Sequence, residues 1–120
     1  MALPLTDVQR NERNGYLTTT GRVSGRLHEI EIWFGVAADG RTVYLLSGGG
    51  DRADWVRNID RDGAVTFRIL GDTFTGRARR ASGDEDTARE SLAGKYYGWT
   101  AGELPNEWSR TALPVVIGLG

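Results

Sequence analysis

Between residues 27 and 36 the side chains sort with period two. His28, Ile30, Ile32, Phe34 and Val36 fall on one face, and Leu27, Glu29, Glu31, Trp33 and Gly35 on the other. This predicts one long strand with a buried face and a mixed face. Ahead of it, residues 16–20 (YLTTT) have strand composition, and the glycines and serine of residues 21–26 (GRVSGR) predict a turn. Ala38, Asp39 and Gly40 close a hairpin into a third strand at 41–47. Three glycines at 48–50 then break the sheet. Residues 53–60 predict a short helix capped by Asp51 or Asp54 and ended by Gly63. Strands at 64–70 and 73–80 flank a tight turn at Gly71 and Asp72. Ser82 is the expected N-cap of a helix that begins with Asp84, Glu85 and Asp86, runs to Tyr97 and stops at Gly98 or Gly102. Another turn of helix is expected at 107–111 and a last apolar strand at 113–119. Residues 1–14 predict an arm or short helix, with Thr6 as its N-cap. About six antiparallel strands with short helices, mainly β overall, suit a small split β-barrel, because closure removes exposed edges.

The chain has 120 residues, 39% of them hydrophobic, which fits one domain spanning 1–120. Its net charge of −1 lacks the single-signed field that holds nucleic acid. Of 15 basic residues only Lys95 is a lysine, and arginine forks suit anions. With no cysteine and one histidine, a cysteine zinc site and a histidine-rich metal site are excluded, and no metal is expected. No apolar run is long enough for a membrane span. The first 15 residues lack a signal-peptide pattern, so a cytoplasmic protein is expected.

Two segments can bind an anion. Residues 18–26 (TTTGRVSGR) offer turn amides, a serine hydroxyl and two arginines, although an ordinary turn with solvated arginines has the same composition. Residues 47–58 (SGGGDRADWVRN) lead through close-approach glycines into a helix start that offers free N–H groups. There Trp55 can pack on a planar ring or in the core, and Arg57 and Asn58 can donate. Both segments flank ends of strands able to be neighbours, so a phosphate-bearing ring cofactor can touch both. His28 reads as a rim or core residue more readily than as a catalyst. Glu29 and Glu31 read as a solvated or arginine-paired face. Lys95, Tyr96, Tyr97 and Trp99 form an aromatic helix end that packs the core or lines a substrate pocket with a phenolic proton donor. Ser24, Ser47 and Ser109 lack triad partners.

The run Thr18-Thr19-Thr20-Gly21-Arg22, then Ser24-Gly25, Trp55 with Asn58, Trp108, Arg110-Thr111 and Pro114-Val115, resembles the deazaflavin (coenzyme F420)-dependent nitroreductase family. That family belongs to the flavin- and deazaflavin-binding split-barrel superfamily, which includes the pyridoxamine phosphate oxidases. The resemblance runs from about Tyr16 to Ile117. It implies that Arg22, Val23 and Ser24 contact the cofactor's phosphate and tail. His28, Ile30, Ile32 and Trp33 would lie on the strand under the ring. Leu46, Ser47 and Gly48 would stand beside the ring, and Asp54, Trp55, Val56, Arg57 and Asn58 on the helix closing over it. Family members often carry lysines where this chain has Val23 and Gly48; Arg22, Arg26, Arg52 and Arg57 are candidates to compensate. Tyr97 is the nearest candidate for a catalytic proton donor. The implied activity is hydride transfer from reduced F420 to a small quinone, enone or nitro compound. The alternatives are a non-catalytic carrier of the same fold or an FMN enzyme. The expected partners are the cofactor, a small-molecule substrate and a second copy of the chain in a homodimer.

Overall fold

The computed structural model describes residues 4–120, so part of the expected N-terminal arm (residues 1–3) lies outside the described residues. Seven strands form one antiparallel sheet: β1 (Gly15–Thr20), β2 (Leu27–Ile32), β3 (Gly35–Val36), β4 (Thr42–Ser47), β5 (Ala64–Ile69), β6 (Asp72–Arg80) and β7 (Leu113–Leu119). Their order across the sheet is β2-β1-β5-β6-β7-β4-β3. The sheet curls into a half-barrel of split-barrel type. Four short helices decorate it: α1 (Asp7–Arg10), α2 (Asp54–Arg61), α3 (Glu85–Tyr97) and α4 (Glu107–Thr111).

The long strand expected over residues 27–36 is broken in two. β2 pairs with β1 at one edge of the sheet, and β3 pairs with β4 at the other. The alternation continues through the break, but Phe34 overrides it. Its ring is fully buried, in edge contact with Phe67 at 5.3 Å. Its backbone leaves the ladder and is satisfied by α3 instead. The Phe34 amide donates to Tyr96 Oη at 3.0 Å, and Lys95 Nζ donates to the Phe34 carbonyl at 3.0 Å. Gly35 completes the crossing, since a Cβ there would collide with Ser91 Oγ. This crossing carries the chain from one edge of the sheet to the other.

Two apolar clusters hold the sheet. Leu17, Phe34, Val43, Leu45, Phe67, Val115 and Ile117 fill the inner face, while Tyr44, Leu46 and Val116 meet Ala88 and Leu92 of α3 on the outer face. β4 is therefore buried on both sides, from Val43 to Ser47. Each large buried side chain contributes about 1.5–3 kcal/mol relative to exposure.

Four local expectations need correction. The β5–β6 turn is centred on Leu70 and Gly71, both at positive φ (51° and 89°), because Ile69 pairs with Asp72. That is the primed geometry that matches strand twist. α2 starts at Ala53 with no side-chain cap, so neither Asp51 nor Asp54 closes it, and Asp62 rather than Gly63 occupies its C-cap. Asp84, not Ser82, occupies the N-cap of α3, and the Ser82 amide donates to Asp84 Oδ1 at 2.9 Å. The Thr6 cap of α1 is present as a reciprocal capping box with Gln9. Gly98 ends α3 in the left-handed region at φ 67°.

Candidate functional site

The turn between β1 and β2 folds back on itself. The Gly21 amide donates to the Arg26 carbonyl at 2.7 Å, and the Gly25 amide to the Gly21 carbonyl at 2.9 Å. Gly21 has no room for a side chain, since a Cβ would stand 2.8 Å from His28 Nε2 and 2.9 Å from Ser24 Oγ. α2 lies against this turn, and Asn58 joins them. Asn58 is buried; its Oδ1 accepts from the Arg22 amide at 3.1 Å and from Arg22 Nη1 at 2.9 Å. Its Nδ2 donates to Thr19 Oγ1, itself buried, at 3.1 Å. Arg22 Nη2 pairs with Asp54 at 3.1 Å.

Between the turn, β2 and the start of α2 lies a cleft of about 570 Å³, within the usual range for small-molecule sites. It gathers eight of the residues singled out from the sequence: Arg22, Val23, Ser24, His28, Ile30, Asp54, Trp55 and Asn58. Thr19 and Gly21, both within the anion-capable segment 18–26, also line it, as do Leu27 and Glu29, which were not anticipated as cofactor contacts. What the segment did not show is the pairing of Thr19: a buried hydroxyl needs a partner, and Asn58 is the polar residue offered. Glu29 is paired with Arg68 at 3.2 Å, as the mixed face of β2 suggested.

The donor set of this cleft fits an anion. The amides of Val23 and Ser24 have no acceptor among the described residues, and neither do those of Asp54, Trp55 and Val56 in the uncapped first turn of α2. Arg22 is anchored by Asn58 rather than free to wander. Its partner Asp54 has a side chain 85% exposed. Such a surface pair is worth about 0–1 kcal/mol, so an incoming anion displaces it at small cost.

The remaining candidates lie elsewhere. Val56 is fully buried in the inner cluster, and Ile32 packs against that cluster. Arg57 is exposed, with Nε donating to the Asp51 carbonyl at 3.2 Å. Ser47 and Leu46 are buried, and Ser47 Oγ donates to the Gly50 carbonyl at 2.9 Å. Gly48 abuts Trp108, where a Cβ would meet Nε1 at 2.9 Å.

Trp33 and Tyr97 join that second region. The Trp33 ring stacks on Tyr96 at 4.3 Å and 4°, and meets Trp108 edge-on at 5.8 Å and Tyr97 at 6.0 Å. Arg13 lies 5.4 Å from the Trp33 ring. The Tyr97 ring is half exposed, and its hydroxyl bonds to no described residue. Tyr96, by contrast, is committed: its hydroxyl donates to the Arg13 carbonyl at 2.8 Å, and burial pushes its phenol up to about 12. Burial also lowers Lys95 to about 8, with its ammonium 3.6 Å from the Phe34 ring centroid. Residues 48–53 connect the aromatic region to the start of α2. The sequence named Trp108 but gave it no role, Lys95 was named with the aromatic helix end but not as a tie to Phe34, and Arg13 was missed as a support.

Among the described residues no group of three or more potential ligands could hold a metal ion, and no helix is long and apolar enough to cross a membrane.

The family model described as F420H(2)-dependent quinone reductase matches residues 8–119. Among curated proteins nothing matches the chain. Solved structures share the fold. A conserved hypothetical protein of Mycobacterium tuberculosis is 21% identical with a TM-score of 0.74, over 96% of this chain and 81% of that one. A protein described as an F420 reductase is 15% identical with a TM-score of 0.65, over 98% and 96%. A candidate pyridoxamine 5′-phosphate oxidase of Listeria innocua is 18% identical with a TM-score of 0.66, over 93% and 87%.

Proposed function

Because the chain belongs to the F420H(2)-dependent quinone reductase family, we propose that its β1–β2 cleft holds the anionic part of F420 and that its aromatic region receives a small quinone, enone or nitro compound. The reductase activity and the F420 dependence follow from the family; the residue roles and the substrate range are our reading. The observation that carries it is the set of amides without protein acceptors at Val23, Ser24 and the first turn of α2, gathered around one anchored arginine.

When bound, reduced F420 supplies a hydride from the deazaflavin C5. The protein's part is placement. Asn58 fixes the turn and the Arg22 guanidinium, so no side chain has to be ordered when the anion arrives. Arg22, with the Val23 and Ser24 amides, holds the phosphate and tail. His28, Ile30 and Trp55 give the cleft its walls. Trp33 and Trp108, whose rings meet edge-on, give the apolar walls that receive a planar acceptor, and the uncommitted Tyr97 hydroxyl is the candidate to give a proton to the reduced product. The sequence-based expectations of a cytoplasmic homodimer belong to the same reading. The open edge of β2, where Leu27 is 73% exposed, is a surface available to a second copy.

Oxidation of reduced F420 against a panel of quinones, enones and nitroaromatics tests this. Turnover with at least one class is expected, and Tyr97→Phe should lower the rate without changing F420 affinity. Binding of F420 with no turnover on any class contradicts the substrate assignment. An unchanged rate in Tyr97→Phe removes its proton role.

A further inference from the structure

The charges lining the β1–β2 cleft limit the kind of anion it can hold. Apart from the single histidine, the charged side chains there are Arg22, Glu29 and Asp54. Both carboxylates are matched, Asp54 to Arg22 at 3.1 Å and Glu29 to Arg68 at 3.2 Å. Arg68 itself is not part of the lining. One arginine therefore stands with two carboxylates. The other donors are neutral, namely the amides of Val23 and Ser24 and those of the first turn of α2.

Asp54 is the unexpected member of this set. An ionised carboxylate only accepts hydrogen bonds, so it cannot hold a phosphate oxygen. Yet it is tied to the group that can. Arg22 Nη1 donates to Asn58 Oδ1 at 2.9 Å and to the Asp54 carbonyl at 3.4 Å, while Nη2 meets the Asp54 carboxylate. An incoming anion displaces the weak side-chain pair, but the main chain of Asp54 stays beside the guanidinium. Any anion that reaches Arg22 is therefore met next to a negative charge.

Charge then separates two kinds of phosphate. A phosphate esterified on both sides, as where a cofactor continues into a tail, carries one negative charge shared by two free oxygens. A terminal phosphate carries about −1.5 to −2 at neutral pH on three oxygens. One arginine and a set of neutral amides match the first. The extra charge of the second falls beside Asp54, and among the described residues no further arginine or lysine lines the cleft to offset it.

On the reading of this cleft as the site for the anionic part of F420, we propose that Asp54 is a specificity-determining residue. It disfavours a terminal phosphate, such as that of FMN, and so admits a phosphate that continues into a chain. Its role is exclusion, where that of Arg22 is capture.

Fluorescence titrations of F420 and FMN with the wild type, Asp54→Asn and Asp51→Asn test it. Asparagine keeps the shape of the side chain and removes its charge. Any anion gains from that loss, but the more highly charged one gains more. The ratio of FMN to F420 affinity should therefore rise about fivefold or more in Asp54→Asn, the scale of one like charge a few ångströms away in water. The rise should shrink at high salt, as screened repulsion does. Asp51→Asn removes the same charge from outside the cleft lining and should leave the ratio where it was. An equal gain for both cofactors, no gain, or a matching rise in Asp51→Asn overturns the inference alone, provided the wild type binds F420. A wild type that binds no F420 overturns the reading of the cleft, and the inference with it.

Discussion

The turn at residues 21–26 and the aromatic cluster around Trp33 sit near opposite ends of β2, and different forces hold them. The turn is fixed by directional bonds through one buried amide: Asn58 reaches Arg22 twice and Thr19 once. The aromatic cluster is fixed by ring packing, with Trp33 stacked on Tyr96, in edge contact with Trp108 and with Arg13 over its ring. The first arrangement presents donors of fixed position, which a charged group needs. The second presents adaptable apolar faces, which suit more than one planar acceptor. On the proposed function, a cofactor site of fixed chemistry and a substrate site of broad chemistry rest on separate supports within 120 residues.

The largest expected effect breaks the polar end. Asn58→Ala strips the Arg22 amide and guanidinium and the Thr19 hydroxyl of their partner. It should cost about 1–3 kcal/mol of stability and weaken F420 about tenfold or more, read by denaturant unfolding and by fluorescence titration. The aromatic cluster should keep its near-ultraviolet circular dichroism. Joint loss of both would make the two regions one unit.

The aromatic end breaks at Gly48. Gly48→Lys restores the lysine common in the family but drives its Cβ toward Trp108 Nε1. Trp108 must shift, so near-ultraviolet dichroism should change and turnover should fall, with F420 affinity altered less. An unchanged aromatic signal would mean that Trp108 gives way freely.

A subtler probe uses pH. Lys95 is lowered to about 8 from 10.5 by burial. Between those values the unfolded chain holds a proton that the folded chain has released, so stability rises with pH across the window. Tyr96 is raised to about 12 from 10.0, so above pH 10 the unfolded chain loses its proton first and stability falls. Lys95→Met should flatten the rise from about pH 8 to 10, and Tyr96→Phe the fall beyond it, both measured by urea midpoints. Parallel profiles for the wild type and Lys95→Met would mean that the ammonium is not desolvated.

The smallest effect concerns Val23, which is 93% exposed. Val23→Lys should leave stability unchanged and tighten F420 about two- to fivefold, the scale of one added surface charge. No gain would mean that the tail passes elsewhere.

The polar end was legible because its parts are contiguous. Glycines, hydroxyls and arginine in residues 18–26, and Trp55 with Asn58 one helical turn apart, carry their chemistry in local spacing. The aromatic end was not. Residues 27–36 alternate as one strand, and the ties from Lys95 and Tyr96 to Phe34, some sixty positions on, help break it. Period-two pattern reports which face a residue prefers, not which strand it will pair with. The helix caps failed for a related reason: Ser82 and Asp84 are both good caps, and the Arg79 pair holds Asp84 in the position that wins. The Leu70 turn failed because positive φ at a leucine is imposed by strand register, not invited by its side chain.

Fluorescence titration of F420 with the wild type and with Arg22→Ala tests the central claim most directly. The wild type should bind with micromolar affinity and should not exchange F420 for FMN. Arg22→Ala, which loses the anchored guanidinium and its charge-assisted bonds, should bind about tenfold more weakly or worse. Equal affinity in the two proteins would contradict the account and move the anionic end of the cofactor away from the β1–β2 turn.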